Sequence, residues 1–110
     1  MKLVLRQIFS INNTENCISL DEFLLSNIDI AGAVVAKEIT KNKIATICVK
    51  EFNILNDIKS NEIVEIYAKV AKQGNTSIAT EVNVFSNNIL CAKATIIYVC
   101  IDDSGKSVNI

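Results

Sequence analysis

Few residues in this chain have side chains suited to catalysis, and their types narrow the chemistry at once. Its 110 residues include no histidine, which removes Ser-His-Asp and Cys-His nucleophilic catalysis and any zinc site that needs imidazole. Three glycines, Gly32, Gly74 and Gly105, and no proline cannot build a G-x-G-x-x-G fingerprint, a Walker A loop or a G-x-S-x-G elbow. The cysteines Cys17, Cys48, Cys91 and Cys100 show no C-x-x-C spacing. Cys91 and Cys100, an odd number of residues apart, would face opposite sides of a single strand. Free thiols in a reducing cytoplasm are the expectation. Carboxylates, Lys, Cys, hydroxyls and backbone amides remain for catalysis.

One carboxylate stands apart. Between Phe23 and Ala36 the only charge is Asp29. At helical spacing it shares a face with Glu22, Leu25, Ser26, Gly32, Ala33 and Ala36, a narrow row of mostly small side chains. Such a row admits close approach of a second chain or a slender ligand. An ionised carboxylate in apolar surroundings is costly unless paired, hydrogen-bonded or protonated, and such positions are enriched in functional sites. The alternative is that Asp29 lies with Ser26 on a thin solvent-facing side and costs nothing.

The elements that must position Asp29 follow from periodicity. Lys2 to Phe9 alternates as a strand, and an Asn-rich loop runs from Ser10 to Cys17. Ser19-Leu20-Asp21-Glu22 matches the S-x-x-E capping box, which predicts a helix from Leu20 to about Ile39. Apolar almost all round, that helix is expected to be buried. After Lys41-Asn42-Lys43, strands are predicted at Ile44 to Phe52, Glu62 to Lys72, Thr76 to Phe85 and Ile89 to Ile101. The third and fourth strands each have one wet face. The last has two largely apolar rows and is expected to be central. Short connections make the last three a meander, and one helix wrapped by one curved sheet is the economical arrangement.

Half of the residues are hydrophobic and 21% are charged, with a net charge of −1. That is an ordinary globular balance, and the length suits a single domain, 1–110. Scattered basic residues and a pI near 5.4 argue against a nucleic-acid binder. The stretch Phe23 to Ala36 is too short to span a bilayer. Arg6 follows Lys2 after three apolar residues, so no signal-peptide core develops. A cytoplasmic location is expected.

Together these residues resemble a family. Asp29-Ile30-Ala31-Gly32-Ala33 followed by Ala36-Lys37-Glu38, with the opening Leu3-Val4-Leu5-Arg6, resembles bacterial short-chain acyl-CoA thioesterases of the hotdog fold, whose helix carries M-D-x-G-G-A-x-x-A-K-E. Lys72-Gln73-Gly74-Asn75-Thr76-Ser77 is similar to the family's K-x-G-x-T-S turn. Lys93-Ala94-Thr95, Val99-Cys100-Ile101-Asp102 and Ser104-Gly105-Lys106 are similar to its last strand and final turn. The resemblance implies an α+β hotdog fold, one long buried helix wrapped by a five-stranded antiparallel sheet, with homodimers that share one sheet and often assemble further. It implies Asp29 as the catalytic carboxylate that drives water onto the thioester. It also implies acyl-CoA contacts at Asn16, Gly32, Gly74, Asn75, Thr76 and Ser77. No metal and no resident cofactor are expected, coenzyme A thioester being ligand or substrate.

The departures from the family are informative. Its loop before the helix reads N-x-x-G-D/N-I-F-G-G, where this chain reads Asn13-Thr14-Glu15-Asn16-Cys17-Ile18-Ser19-Leu20-Asp21-Glu22. Glycine lets backbone N–H groups approach a thioester carbonyl, where negative charge develops during attack. Asp21 and Glu22 add bulk and two negative charges instead, which favours the helix and opposes an oxyanion. The turn Ser86-Asn87-Asn88 is shorter than usual, and the chain ends at Ile110 without the tail of many relatives, as a truncated form would. The expectation is an acyl-CoA-binding protein with weak or lost hydrolysis. The alternatives are an active thioester hydrolase using Asp29 and a structural dimer without ligand.

Overall fold

The Ser19 hydroxyl accepts a hydrogen bond from the Glu22 amide at 3.2 Å, so helix α1 (Leu20–Lys37) starts where the capping box puts it. A computed structural model of the chain describes residues 1–10 and 19–110. Five strands accompany the helix: β1 (Lys2–Ile8), β2 (Lys43–Ile54), β3 (Ile63–Gln73), β4 (Ser77–Ser86) and β5 (Ile89–Ile101). They form one sheet in the order β1-β3-β4-β5-β2, and every pairing is antiparallel. The expected Asn-rich loop lies for the most part outside the described residues.

The meander β3-β4-β5 forms the middle of the sheet. Asn87 and Asn88 both adopt positive φ, 53° and 64°, the two-residue hairpin geometry whose twist matches the flanking strands and which Asn tolerates. Alternation then decides the faces. Val64, Ile66 and Ala68 of β3, Ile78, Val82 and Val84 of β4, and Ala92, Ala94, Ile96 and Tyr98 of β5 are buried in one core with Leu24, Ile28, Ala31, Val35 and Ala36 of α1. As expected of a strand with two apolar rows, β5 has neighbours on both sides, β4 and β2.

The helix is buried on one face rather than all round. Ile30 is 48% exposed and Val34 41%, and Leu25 is exposed with them. A single sheet covers one side of a helix, and α1 carries more apolar surface than this sheet can cover. Strand β2, last in the sheet, adds exposed Ile47, Val49 and Ile54. Its ladder to β5 breaks twice, between Thr46 and Cys48 and between Lys50 and Asn53, with Glu51 at φ 53°. Each bulge adds an unpaired residue and sharpens the local twist.

Beyond β5 the chain turns back on itself. The Asp102 carboxylate accepts from the Ser104 amide and hydroxyl and from the Lys106 amide at 2.7–3.0 Å, and Gly105 takes φ +87°, which glycine adopts without a Cβ clash. Among the described residues no helix is long and apolar enough to cross a membrane.

Candidate functional site

Asp29 lies midway along α1, half-buried. Its Oδ1 accepts a hydrogen bond from the Thr46 hydroxyl of β2 at 2.8 Å. Its main-chain carbonyl accepts another from the Tyr98 hydroxyl of β5 at 2.6 Å. Thr46 and Tyr98 are register partners on adjacent strands, so their side chains leave the same face of the sheet. One residue of the helix is thus held by a cross-strand pair. The carboxylate is neither stranded in an apolar core nor fully in water. It is hydrogen-bonded and accessible, as a base acting on an incoming molecule must be.

Tyr98 is 1% exposed. Burial pushes its phenol well above the usual tyrosine range, and the negative charge of Asp29 beside it pushes the same way. The hydroxyl therefore stays neutral and keeps its proton to donate. Room for it comes from Gly32. A Cβ there would lie 2.5 Å from the Tyr98 hydroxyl oxygen and 2.7 Å from Thr80 Oγ1. The close approach that the small-residue row invites at Gly32 is made by side chains of the same chain. Thr80, fully buried, donates to the Ile96 carbonyl at 3.3 Å.

Gly74, Asn75, Thr76 and Ser77 join β3 to β4. The Gly74 amide donates to the Ser77 carbonyl at 2.8 Å, the Cys100 amide to the Thr76 carbonyl at 2.8 Å and the Ile110 amide to the Asn75 carbonyl at 3.0 Å. Ile78, Tyr98 and Thr46 fall in one row across β4, β5 and β2. The turn therefore lies just beyond the row that holds Asp29, two strand spacings or about 10 Å across the sheet from Thr46. No hydrogen bond among the described residues joins the turn to Asp29. Asn16 lies outside the described residues.

At the helix start Asp21 and Glu22 are both exposed, and the Glu22 amide is already engaged by Ser19. Of the cysteines, Cys48, Cys91 and Cys100 are free, and burial raises the Cys91 thiol above its ordinary value, which makes it a poor nucleophile. Among the described residues no three His, Cys, Asp or Glu side chains cluster as a metal site would need.

Thr46 and Tyr98 are absent from the sequence-based site. A buried tyrosine hydroxyl needs a partner, and that rule alone could have marked Tyr98. Thr46 has no local signal, since it meets Asp29 only through the β2–β5 pairing.

The family model of the Thioesterase superfamily matches residues 23–93. The chain belongs to the Thioesterase superfamily. It is 31% identical over 93 residues to the acyl-CoA thioester hydrolase YciA of Salmonella typhimurium, an alignment covering 76% of this chain and 70% of that protein. It is 33% identical over 93 residues to the uncharacterized acyl-CoA thioester hydrolase BU274 of Buchnera aphidicola, covering 76% and 69%. Among solved structures it is similar to the hexameric thioesterase y2039 of Yersinia pestis, with TM-score 0.87 and 29% identity over 99% of this chain and 94% of that one. It is also similar to the hexameric hotdog fold thioesterase Cj0915 of Campylobacter jejuni, with TM-score 0.81 and 28% identity over 96% and 87%. The fold of this superfamily member is the hotdog fold: one helix on a five-stranded antiparallel sheet.

Proposed function

We propose that the protein binds acyl-CoA and hydrolyses its thioester with Asp29 as the base. The supporting observation is the Asp29 carboxylate, fixed by the Thr46 hydroxyl at 2.8 Å yet half-exposed. In this reading Asp29 takes a proton from water as the water oxygen attacks the thioester carbonyl. Collapse of the tetrahedral intermediate breaks the C–S bond, and Asp29 returns the proton to the departing thiolate of coenzyme A. The products are a carboxylic acid and free coenzyme A. Backbone N–H groups at a helix start, where the dipole is positive, are assigned to the oxyanion. Because nine residues, roughly 14 Å of helix, separate the start of α1 from Asp29 in one chain, a second copy of the chain would supply them. The turn Gly74-Asn75-Thr76-Ser77, just beyond the Ile78-Tyr98-Thr46 row, is assigned to the CoA arm.

A second reading, binding with slow turnover, rests on the helix start. Ser19 occupies the Glu22 amide, and two carboxylates replace the glycines of the family's loop. Hydrolysis of butyryl-CoA measured beside calorimetric binding of a non-hydrolysable analogue separates the two. The hydrolase reading expects turnover that Asp29→Asn lowers by ~100-fold or more while the analogue still binds. Binding without turnover would leave the second reading, and no binding would leave a structural dimer.

The assembly proposed is a homodimer joined along β2, with dimers associating further. Ile47 and Val49 of the edge strand, and Ile30 and Val34 beside Asp29, are exposed in one chain, and an open apolar edge invites strand pairing. The neighbours y2039 and Cj0915 are described as hexameric. Sedimentation that finds a stable folded monomer at micromolar concentration would refute this assembly. Free thiols at Cys48, Cys91 and Cys100 support a reducing, cytoplasmic setting.

A further inference from the structure

We infer that Tyr98 is the positioning residue for Asp29: its hydroxyl clamps the Asp29 main-chain carbonyl and so fixes the helical turn from which the carboxylate reaches Thr46. This inference rests on the hydrolase reading above.

Three observations converge on it. The first is the bond itself. A carbonyl inside a helix already accepts the amide four residues on and has a second lone pair to spare. Tyr98 takes that lone pair at 2.6 Å. The second is Gly32. Glycine inside a helix is disfavoured relative to alanine, yet any side chain here would strike the Tyr98 hydroxyl, 2.5 Å from an added Cβ. The helix gives up propensity at the one place where the hydroxyl must reach its backbone. The third is register. Because Thr46 and Tyr98 are cross-strand partners, the carboxylate and the carbonyl of one residue are held at two points by one short stretch of sheet. A two-point hold restricts both translation of the helix along the sheet and rotation of Asp29 away from the approaching thioester. Reaction rates are sensitive to displacements of that kind.

The hydroxyl has no chemistry of its own to do here. Burial and the neighbouring carboxylate keep it protonated, so it does not compete with Asp29 as a base.

The test is Tyr98→Phe, which removes one oxygen and keeps the ring. On butyryl-CoA, kcat is expected to fall ~10-fold, as loss of an orienting hydrogen bond does, with KM within about two-fold of wild type. In an Asp29→Asn background the same change should leave the residual rate unaltered, because Tyr98 acts through that carboxylate. Cys100→Ala, a cavity on the same buried row of β5, should lower the melting temperature and leave kcat within about two-fold. Should Tyr98→Phe not fold, Gly32→Ala, whose methyl displaces the hydroxyl, replaces it with the same expectations. Wild-type kcat in an active enzyme lacking the hydroxyl, or an equal loss in both backgrounds, would overturn the inference alone. A wild-type protein without turnover would overturn the hydrolase reading and this inference with it.

Discussion

Thr46 and Tyr98 face each other across the β2–β5 ladder, and each holds a different oxygen of Asp29. The carboxylate is bound to the edge strand of the sheet and the carbonyl to an interior one. The apolar stretch of the helix from Phe23 to Ala36 thus presents its one charged group in a fixed direction.

Thr46→Val keeps the shape of the side chain and removes the hydroxyl. A hydrogen bond to a charged group contributes about 1.5–3 kcal/mol, so kcat should fall by roughly 10- to 100-fold. Thr46 is exposed in the single chain, and the thermal midpoint should hardly move. Steady-state kinetics beside a melting curve checks both. An unchanged kcat would mean that Asp29 needs no second-strand anchor.

Asp21→Gly/Glu22→Gly restores the glycines of the family's loop. Turnover is expected to rise as two negative charges leave the region where the oxyanion forms. The cost is in the helix, which loses favourable first-turn charges and gains two flexible residues. Urea unfolding should show a loss of about 1–2 kcal/mol. Brisk wild-type hydrolysis that the double change does not improve would show that the two carboxylates do not impede the reaction.

Ala94→Asp should abolish folding. Ala94 is 5% exposed and pairs with fully buried Val82. An unpaired carboxylate there costs several kcal/mol, against a total stability of about 5–15 kcal/mol for a domain. Loss of the cooperative thermal transition, followed by circular dichroism, is the expected result. A soluble mutant with a sharp transition would contradict the assigned face of β5.

Glu62 predicts the acid limb of stability. Its carboxylate accepts from the Ser86 hydroxyl at 2.5 Å and from the Lys59 amide at 3.0 Å, and these bonds, the Ser86 one foremost, hold it below the ordinary value of 4.5. A carboxyl depressed in the folded state stabilises above its unfolded value, and that contribution disappears as pH falls through the folded one. Urea midpoints measured from pH 6 downward should decline more gently for Glu62→Gln than for wild type. Parallel curves would remove Glu62 from the acid response.

Much of the fold is legible because its signals are local. Ser19 and Glu22 mark the helix start within one turn, Asn87-Asn88 encodes a hairpin, and alternation along β3 and β4 assigns their faces. The site is legible only in part. Asp29 stands out as the one charge in an apolar run, but its partners come from strands far along the chain. The pairing of Thr46 with Tyr98 depends on a bulge between Thr46 and Cys48, and no rule of composition predicts that register. For the same reason Gly32 reads as an opening from sequence, whereas in three dimensions Tyr98 fills the space. Likewise, periodicity shows that Ile30 and Val34 are apolar and cannot say which side the sheet covers.

The strand order β1-β3-β4-β5-β2 also bears on how the protein is made. Synthesis runs from the N-terminus, so β1 and β2 leave the ribosome before the strands they pair with, and α1 before the meander that covers most of its buried face. β1 must wait for β3 and β2 for β5, while Leu24, Ile28 and Val35 wait for the meander to cover them. The nascent chain therefore carries its apolar helix incompletely covered until β5 is complete, a state open to aggregation. A ribosome that pauses before Ile101 leaves a half-domain with no route to a closed core, and slow codons or chaperone contact in that interval would govern the yield of folded protein.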